Sequence, residues 1–337
     1  MLVVMHKDAA EDQIKKVCQV IRSMGLTPHP IKGAQRVAIG ITGNKEMVDT
    51  HKIESLDGVI NIIHVTQPYK LTSREMKPDD TKIKIEDVVI GDKKVVVIAG
   101  PCAVESEKQT IDIAKAAKSA GADMLRGGAF KPRTSPYSFQ GLGEEGLKIL
   151  LKAKQETNLP IVSEAIDTEV FSLVEEYVDV VQIGARNMQN YSLLKKVGKS
   201  KKPILLKRGM ASTIQEFLLA AEYIMSEGNY NVILCERGIR TFSDFTRFTL
   251  DISSIPELKR ISHLPVIADP SHASGKRDMV LPLSRAAIAA GADGIMIEAH
   301  YNPDKALSDG PQSLTIPGLR QVIAELKMIA TAIGRKI

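Results

Sequence analysis

The sequence predicts an α/β fold, a (β/α)8 TIM barrel preceded by a small α+β domain of ferredoxin-like order. From about residue 95 onward, short Val- and Ile-rich runs alternate with longer stretches of helical periodicity. Eight such units in about 240 residues match the count and size of a closed eight-stranded barrel. The first part of the chain differs: it reads β-α-β-β-α-β in about 65 residues, a split βαβ unit.

Taken in order, L-V-V-M is the first strand, and the helix after it carries Ile14, Val17, Cys18 and Ile21 on one face. A short strand near residues 28–32, the run R-V-A-I-G-I, a weaker helix and V-I-N-I-I-H-V complete a domain over residues 1–65. The stretch from Thr66 to Asp80 is polar, proline-marked and aperiodic, so residues 66–81 are expected to be a linker. Residues 82–337 then form the barrel. They begin with K-I-K-I-E-D-V-V-I-G-D-K-K-V-V-V, where G-D between alternating runs suggests a hairpin that could plug the barrel's N-terminal mouth. The eight barrel strands are V-V-V-I-A-G-P-C, D-M-L-R-G-G, L-P-I-V-S-E-A, D-V-V-Q-I-G-A-R, K-P-I-L-L-K-R-G, N-V-I-L-C-E-R-G, L-P-V-I-A-D-P-S-H and G-I-M-I-E-A-H. Between them, Thr213 to Met225 places Ile214, Phe217, Leu218, Ala221, Ile224 and Met225 on one helical face. After the last strand, Leu319, Val322, Ile323 and Leu326 do the same.

Composition narrows the function. The 337 residues hold 45 basic and 40 acidic side chains, a formal charge of +5 without a lysine-arginine tract or an aromatic-basic platform for nucleic acid. Anionic small molecules suit that balance better. There is no apolar run of membrane-spanning length and no secretory pattern at the N-terminus, so no membrane partner and a cytoplasmic location are expected. Cys18, Cys102 and Cys235 lie too far apart to form a disulfide framework.

In a barrel the chemistry gathers where strands end at the C-terminal face. Here those ends offer Cys102, Arg126, Glu164, Arg186, Lys207, Glu236 with Arg237, Asp269 with His272, and Glu298. A single strand-end cation reads as a solvated loop charge. Six of them in one mouth (Arg126, Lys131, Arg133, Arg186, Lys207, Arg237) would repel one another and call for a ligand with several anionic groups. The run R-G-G-A-F-K-P-R-T-S-P-Y-S-F-Q-G adds a stiff loop, because Pro132 and Pro136 fix their own φ and push Lys131 and Ser135 toward extended geometry. Cys102, His272, Glu298 and Asp309 form a second group. A thiol, an imidazole and two carboxylates suit Zn, Mn, Fe or Co rather than Mg or Ca. A small buried cysteine and an ordinary hydrogen-bonded histidine are the alternative for this group, and Cys18 and Cys235 are expected to be buried cysteines of that kind.

The motifs A-G-P-C-A-V-E, R-G-G-A-F-K-P-R-T-S-P-Y-S-F-Q-G, Q-I-G-A-R-N, L-L-K-R-G, I-L-C-E-R-G-I-R-T-F, A-D-P-S-H, and E-A-H with L-S-D-G-P-Q-S-L resemble those of the 3-deoxy-D-arabino-heptulosonate 7-phosphate (DAHP) synthase family. The resemblance covers residues from about 85 to the C-terminus, and the small domain looks like the ferredoxin-like (ACT-like) regulatory extension of one branch. It implies condensation of phosphoenolpyruvate with erythrose 4-phosphate, the first step of the shikimate pathway. Arg126, Lys131 and Lys207 would then hold the phosphoenolpyruvate carboxylate side, and the Ala185 N–H, Arg186, Lys207 and Arg237 its phosphate. Lys131, Pro132, Arg133, Thr134 and Ser135 would receive erythrose 4-phosphate, with Arg133 and Thr134 at its phosphate. Cys102, His272, Glu298 and Asp309 would bind a divalent metal.

For the chemistry so implied, the catalytic candidates are Lys131 as proton donor to the new alkoxide, a need that the metal could also meet through water, Glu164 for orienting the attacking water, because a strand-end carboxylate amid cations should stay ionised, and His272. The resemblance also implies feedback by tyrosine or phenylalanine and a homo-oligomer, a tetramer. The nearest alternative is 3-deoxy-D-manno-octulosonate 8-phosphate synthase, whose loop reads K-A-N-R-S where this chain has K-P-R-T-S. A reading of another class is an idle barrel serving as scaffold for an amino-acid sensor, against which the intact set of cations and ligands argues.

Overall fold

The computed structural model describes residues 1–33, 36–43, 50–63 and 68–337. The first domain comprises β1 (Leu2–Met5), α1 (Glu11–Ser23), β2 (Thr27–Lys32), β3 (Val37–Thr42), α2 (His51–Glu54) and β4 (Val59–Ile63). Its antiparallel sheet runs in the order β2-β3-β1-β4, which is the split βαβ arrangement expected. Ile14, Val17, Cys18 and Ile21 of α1 bury against Val3, Met5, Ile39 and Ile41 on one face of that sheet. Parts of three expectations (the start of the weaker helix, the end of V-I-N-I-I-H-V, and Thr66 with Gln67) lie outside the described residues.

The other face of the sheet is covered as well. Leu2, Val4 and Ala38 share a core with Tyr69, Leu71 and Met76, which continues into the barrel helices. At Gly40 a Cβ would come within 2.8 Å of the Met76 methyl and 3.0 Å of a Leu71 methyl, so the strap packs directly on the sheet here.

The segment from Tyr69 to Thr81, expected as linker, is in this structure a strap bonded to the barrel. Glu222 accepts from the backbone N–H groups of Lys70, Leu71 and Thr72 at 2.9, 2.8 and 3.0 Å and from the Thr72 hydroxyl at 3.2 Å. The Ser262 hydroxyl donates to the Thr72 carbonyl at 2.6 Å, and His263 bridges the Leu71 carbonyl (2.7 Å) and the Thr81 hydroxyl (2.8 Å). Polar side chains made this stretch look solvated, yet Leu71 and Thr72 are fully buried.

Next come β5 (Ile83–Ile85) and β6 (Val88–Ile90), a hairpin whose turn is Glu86-Asp87, with Glu86 left-handed at φ 52°. The turn is therefore not G-D, which follows β6 and leads into the barrel. Ile83, Ile85 and Ile90 pack against the inward residues Val96, Ile98, Met124, Val162, Leu205, Ile233 and Met296, closing the N-terminal mouth as expected.

The barrel strands are β7 (Val96–Gly100), β8 (Met124–Arg126), β9 (Ile161–Glu164), β10 (Val180–Ile183), β11 (Ile204–Lys207), β12 (Val232–Glu236), β13 (Val266–Ala268) and β14 (Gly294–Glu298), parallel throughout and closed by β14 beside β7. Outside lie α3 (Glu107–Ala120), α4 (Glu144–Thr157), α5 (Thr168–Tyr177), α6 (Tyr191–Val197), α7 (Ile214–Ser226), α8 (Ser254–Ile261), α9 (Pro270–Ser274), α10 (Arg277–Ala289) and α11 (Ile316–Ala332). The faces read from periodicity are the buried ones in α7 and α11, apart from Ile214, which is only partly covered. α7 starts at a Thr213–Glu216 capping box. Among the described residues, no helix is long and apolar enough to cross a membrane.

Candidate active site and metal centre

Because β14 pairs with β7 so that Glu298 lies opposite Gly100, barrel closure brings the two ends of the catalytic sequence together. Cys102 follows β7, His272 sits in α9 after β13, Glu298 ends β14, and Asp309 lies in the loop beyond. One ligand atom from each falls within 4.8 Å of the others, so the four can hold a metal ion. The thiol of Cys102 donates to Asp309 Oδ2 at 3.1 Å, and His272 Nε2 lies 3.3 Å from Glu298 Oε1. Asp309 holds φ 52°, an unusual backbone for a non-glycine residue and a form of strain found at functional sites. Glu298 is further fixed by Arg126 Nη1 at 2.7 Å and by the Gln312 amide at 2.6 Å.

The electrostatics follow from burial and charge. Burial pushes the Cys102 thiol up, Glu298 adds to the effect, and together they outweigh Lys131, taking it to about 12. Burial also raises Asp309, but His272, the Cys102 bond, Lys131 and Arg247 outweigh it and bring the carboxyl down to about 2. Glu298 is lowered in the same way, chiefly by His272 and Arg126 acting against burial. Burial keeps His272 below its ordinary value despite two carboxylates beside it, so near neutral pH the imidazole is uncharged and fit to ligate. This donor set fits a borderline divalent ion, and such an ion would displace the thiol proton.

Above the cluster opens a cavity of about 250 Å³, lined by Lys131 to Ser135, Glu164, Ala185, Arg186, Lys207, Arg237, His272 and Asp309. Lys131 is buried, its ammonium 3.0 Å from both the Cys102 sulfur and carbonyl oxygen. Gly128 leaves room for the Lys131 stem, since a Cβ there would stand 2.7 Å from Lys131 Cδ and 2.9 Å from the Cys102 carbonyl oxygen. Arg133 donates to the Ser308 hydroxyl at 2.5 Å, tying the K-P-R-T-S loop to the Asp309 loop. Arg186 reaches Thr134 at 3.5 Å. Glu164 accepts from the Gln182 amide at 2.7 Å and faces the same cavity. Arg126 lies below the cavity wall with Cys102 and Glu298. Buried Arg126 Nε and Arg237 Nη1 have no hydrogen-bond partner, so two guanidinium groups at this mouth hold unused donor capacity.

Four residues, Arg247, Arg208, Glu236 and Asp269, have contacts in the structure to which the sequence assigned no role. Arg247 lines the cavity and lies 3.4 Å from Asp309 Oδ1, but its stretch of the chain has no periodicity to mark it. Arg208 and Glu236 turn away from the cavity: they are buried and pair at 2.9 Å, and half-buried Asp251 accepts from the same Arg208 Nη1 at 2.9 Å, which ties down the loop after β12. Asp269 is fully buried. Its Oδ2 accepts from Lys207 Nζ at 2.5 Å and from His272 Nδ1 at 2.6 Å, while its Oδ1 accepts from the His272 backbone N–H at 3.0 Å. Cys18 and Cys235 are buried, as expected.

Fold and site together define an enzyme class: a barrel whose C-terminal mouth joins a cation-lined cavity to a cluster able to hold a metal. Residues 76–333 match the model of the DAHP synthetase I family, and residues 1–67 match the DAHP synthase ferredoxin-like domain. The chain belongs to the DAHP synthetase I family, in the branch that carries this N-terminal domain, and is a transferase of that family. It is 50% identical, over 100% of both chains, to phospho-2-dehydro-3-deoxyheptonate aldolase of Thermotoga maritima. A crystal structure of that aldolase (DAHP synthase) matches with a TM-score of 0.80 over 99% of this chain and 98% of the other, at 50% identity. A 2-dehydro-3-deoxyphosphooctonate aldolase of Geobacter sulfurreducens is 34% identical over 267 residues, 74% of this chain and 97% of the relative.

Proposed function

We propose that the chain condenses phosphoenolpyruvate with erythrose 4-phosphate to give DAHP and inorganic phosphate, using a divalent ion held by Cys102, His272, Glu298 and Asp309. The observation that carries the reading is the junction of the four-donor cluster with the cation-lined cavity, bridged by Lys131, which lines the cavity and sets its ammonium 3.0 Å from the Cys102 sulfur. Arg126, Lys131 and Lys207 hold the carboxylate side of phosphoenolpyruvate. The Ala185 N–H, Arg186, Lys207 and Arg237 hold its phosphate, and the unpartnered donors of Arg126 on the carboxylate side and Arg237 on the phosphate side leave both ends with an unmet demand for an acceptor. Pro132, Arg133, Thr134 and Ser135 receive erythrose 4-phosphate, with Arg133 and Thr134 on the phosphate. Bound in the four-donor cluster, Mn, Fe, Co or Zn would supply Lewis-acid polarisation of the aldehyde oxygen.

The clamp sets phosphoenolpyruvate C3 against the aldehyde carbon, converting a bimolecular encounter into a local one. Bond formation between them leaves positive character at C2. Lys131 gives its proton to the new alkoxide; burial lowers its pKa, but Cys102 and Glu298 outweigh this, so it arrives charged. Glu164, oriented by Gln182, aligns the water whose oxygen bonds to C2; one water proton is lost to Glu164 as that bond forms, and the other passes to the departing phosphate as the C2–O bond breaks and the C2 ketone forms. The small domain sets sensitivity to an aromatic amino acid, tyrosine or phenylalanine, within a homo-oligomer, a tetramer. The match of residues 1–67 to a domain model specific to DAHP synthases supports that assignment.

Phosphate release assayed with phosphoenolpyruvate and either erythrose 4-phosphate or arabinose 5-phosphate tests the reading. Release with the four-carbon sugar is expected; release with only the five-carbon sugar, or with neither, overturns it.

A further inference from the structure

We infer that Asp269 is the positioning residue joining the metal ligand His272 to the anion-binding Lys207, so that ion affinity and phosphoenolpyruvate affinity depend on one oxygen, Oδ2. The inference rests on the occupants assigned under the proposed function. It is carried by geometry: Oδ2 receives the Lys207 ammonium and the His272 Nδ1–H at the same time, 2.5 and 2.6 Å away, in a fully buried setting. A carboxylate can only accept, so the imidazole proton must lie on Nδ1 and Nε2 is left bare toward Glu298. Oδ1 caps the backbone N–H of His272 at 3.0 Å, and Pro270 fixes the first turn of α9, so the ring's position and tautomer share a single support. The same oxygen aims Lys207, whose stem is buried at the end of β11.

Asp269→Asn separates these roles. The amide oxygen can still cap the backbone, but an NH2 in place of Oδ2 confronts two donors. It favours the tautomer with the proton on Nε2, where a metal must bind, and it releases Lys207. Burial among donors of this kind is also what an ordinary structural carboxylate would show, and the two roles differ in ion affinity.

The experiment uses full-length protein stripped of metal, with Co(II) as probe. Competition against a chromophoric chelator reads ion affinity, the thiolate-to-cobalt absorption reads Cys102, and calorimetry with cobalt present reads phosphoenolpyruvate binding. Asp269→Asn is expected to weaken cobalt by about 10- to 100-fold, the usual effect of losing such a partner, and phosphoenolpyruvate by about tenfold or more, as for a lost charge-assisted bond. Lys207→Met should weaken phosphoenolpyruvate while cobalt affinity holds or rises, because Oδ2 then serves the imidazole alone. An Asp269→Asn protein within twofold of the parent for either ligand overturns the inference. Should that variant fail to fold, a fall in cobalt affinity in Lys207→Met overturns it instead. If the parent protein binds neither cobalt nor phosphoenolpyruvate, the functional reading itself falls, and this inference with it.

Discussion

Cutting the chain at two points separates the strap from the small domain. A protein beginning at Pro68 keeps residues 69–81 on the barrel, whereas one beginning at Lys82 removes them. The second loses Leu71 and Met76, both buried, whose burial stabilises by ~1.5–3 kcal/mol each when complete. It also strips the partners from Glu222, Ser262 and His263, and groups losing their hydrogen bonds cost roughly 1 kcal/mol each where water can enter. Part of the Leu71 and Met76 burial is against the small-domain sheet and is lost in both proteins, so the difference between them is roughly 4–6 kcal/mol. At ~2–4 °C per kcal/mol for a domain of this size, the Lys82 protein should melt about 10–20 °C below the Pro68 protein. Calorimetric melts of the two, with turnover measured well below both transitions, make the test. Both proteins should keep the metal requirement and lose sensitivity to aromatic amino acids, since both lack residues 1–65. Melting temperatures within about 3 °C would refute the strap as a structural part of the barrel. Inhibition of the Pro68 protein as strong as that of the full chain would put the effector site on the barrel.

Three further outcomes are expected. Cys102→Ser should weaken cobalt binding by at least tenfold and abolish the thiolate absorption, since a neutral hydroxyl is a poor ligand for a borderline ion; unchanged activity after chelation would remove the four-ligand assignment. Arg133→Ala should raise KM for erythrose 4-phosphate by about 10- to 100-fold, the loss of a charge-assisted phosphate bond, with little change for phosphoenolpyruvate, as steady-state kinetics in each substrate will read. Burial lowers the His263 imidazole from 6.5 to about 4, so the unfolded chain takes up this proton before the folded one does. Stability from this group is therefore complete above pH 6.5 and is lost as pH falls toward 4, by roughly 3 kcal/mol. Urea unfolding across that range should show a slope that His263→Asn removes.

The barrel was legible because parallel strands covered on both faces leave unbroken apolar runs, and no other element order spaces eight of them so regularly. Taking the strand ends and the loop after the last strand as one surface gathered Cys102, His272, Glu298 and Asp309, but that they act as ligands was implied only by the family resemblance. The strap was hidden because its burial is secured by polar contacts: Thr72 and Arg74 look solvated in sequence, and their partners Glu222, Ser262 and Lys259 lie some 150 to 190 residues away, as does His263, the partner of Leu71. The G-D pair drew the hairpin turn to the wrong place because Glu86 takes the left-handed backbone that glycine usually marks. Asp269 had a signal, its place three residues before His272 at a helix start, but sequence does not say which of several donors a carboxylate will accept.

The hairpin that seals the barrel's lower end also shapes what happens above it. Beneath the charges lies a dry floor of Ile98, Met124, Ile233 and Met296 with Ile83 and Ile90 pressed up under it, so water can answer those charges only from the open side. A low-permittivity backing of this kind turns the mouth into a lens, sending the field outward along one axis. The phosphorylated substrates proposed above would be gathered from solution along that axis, and the rate at which they arrive should fall as salt shortens its reach.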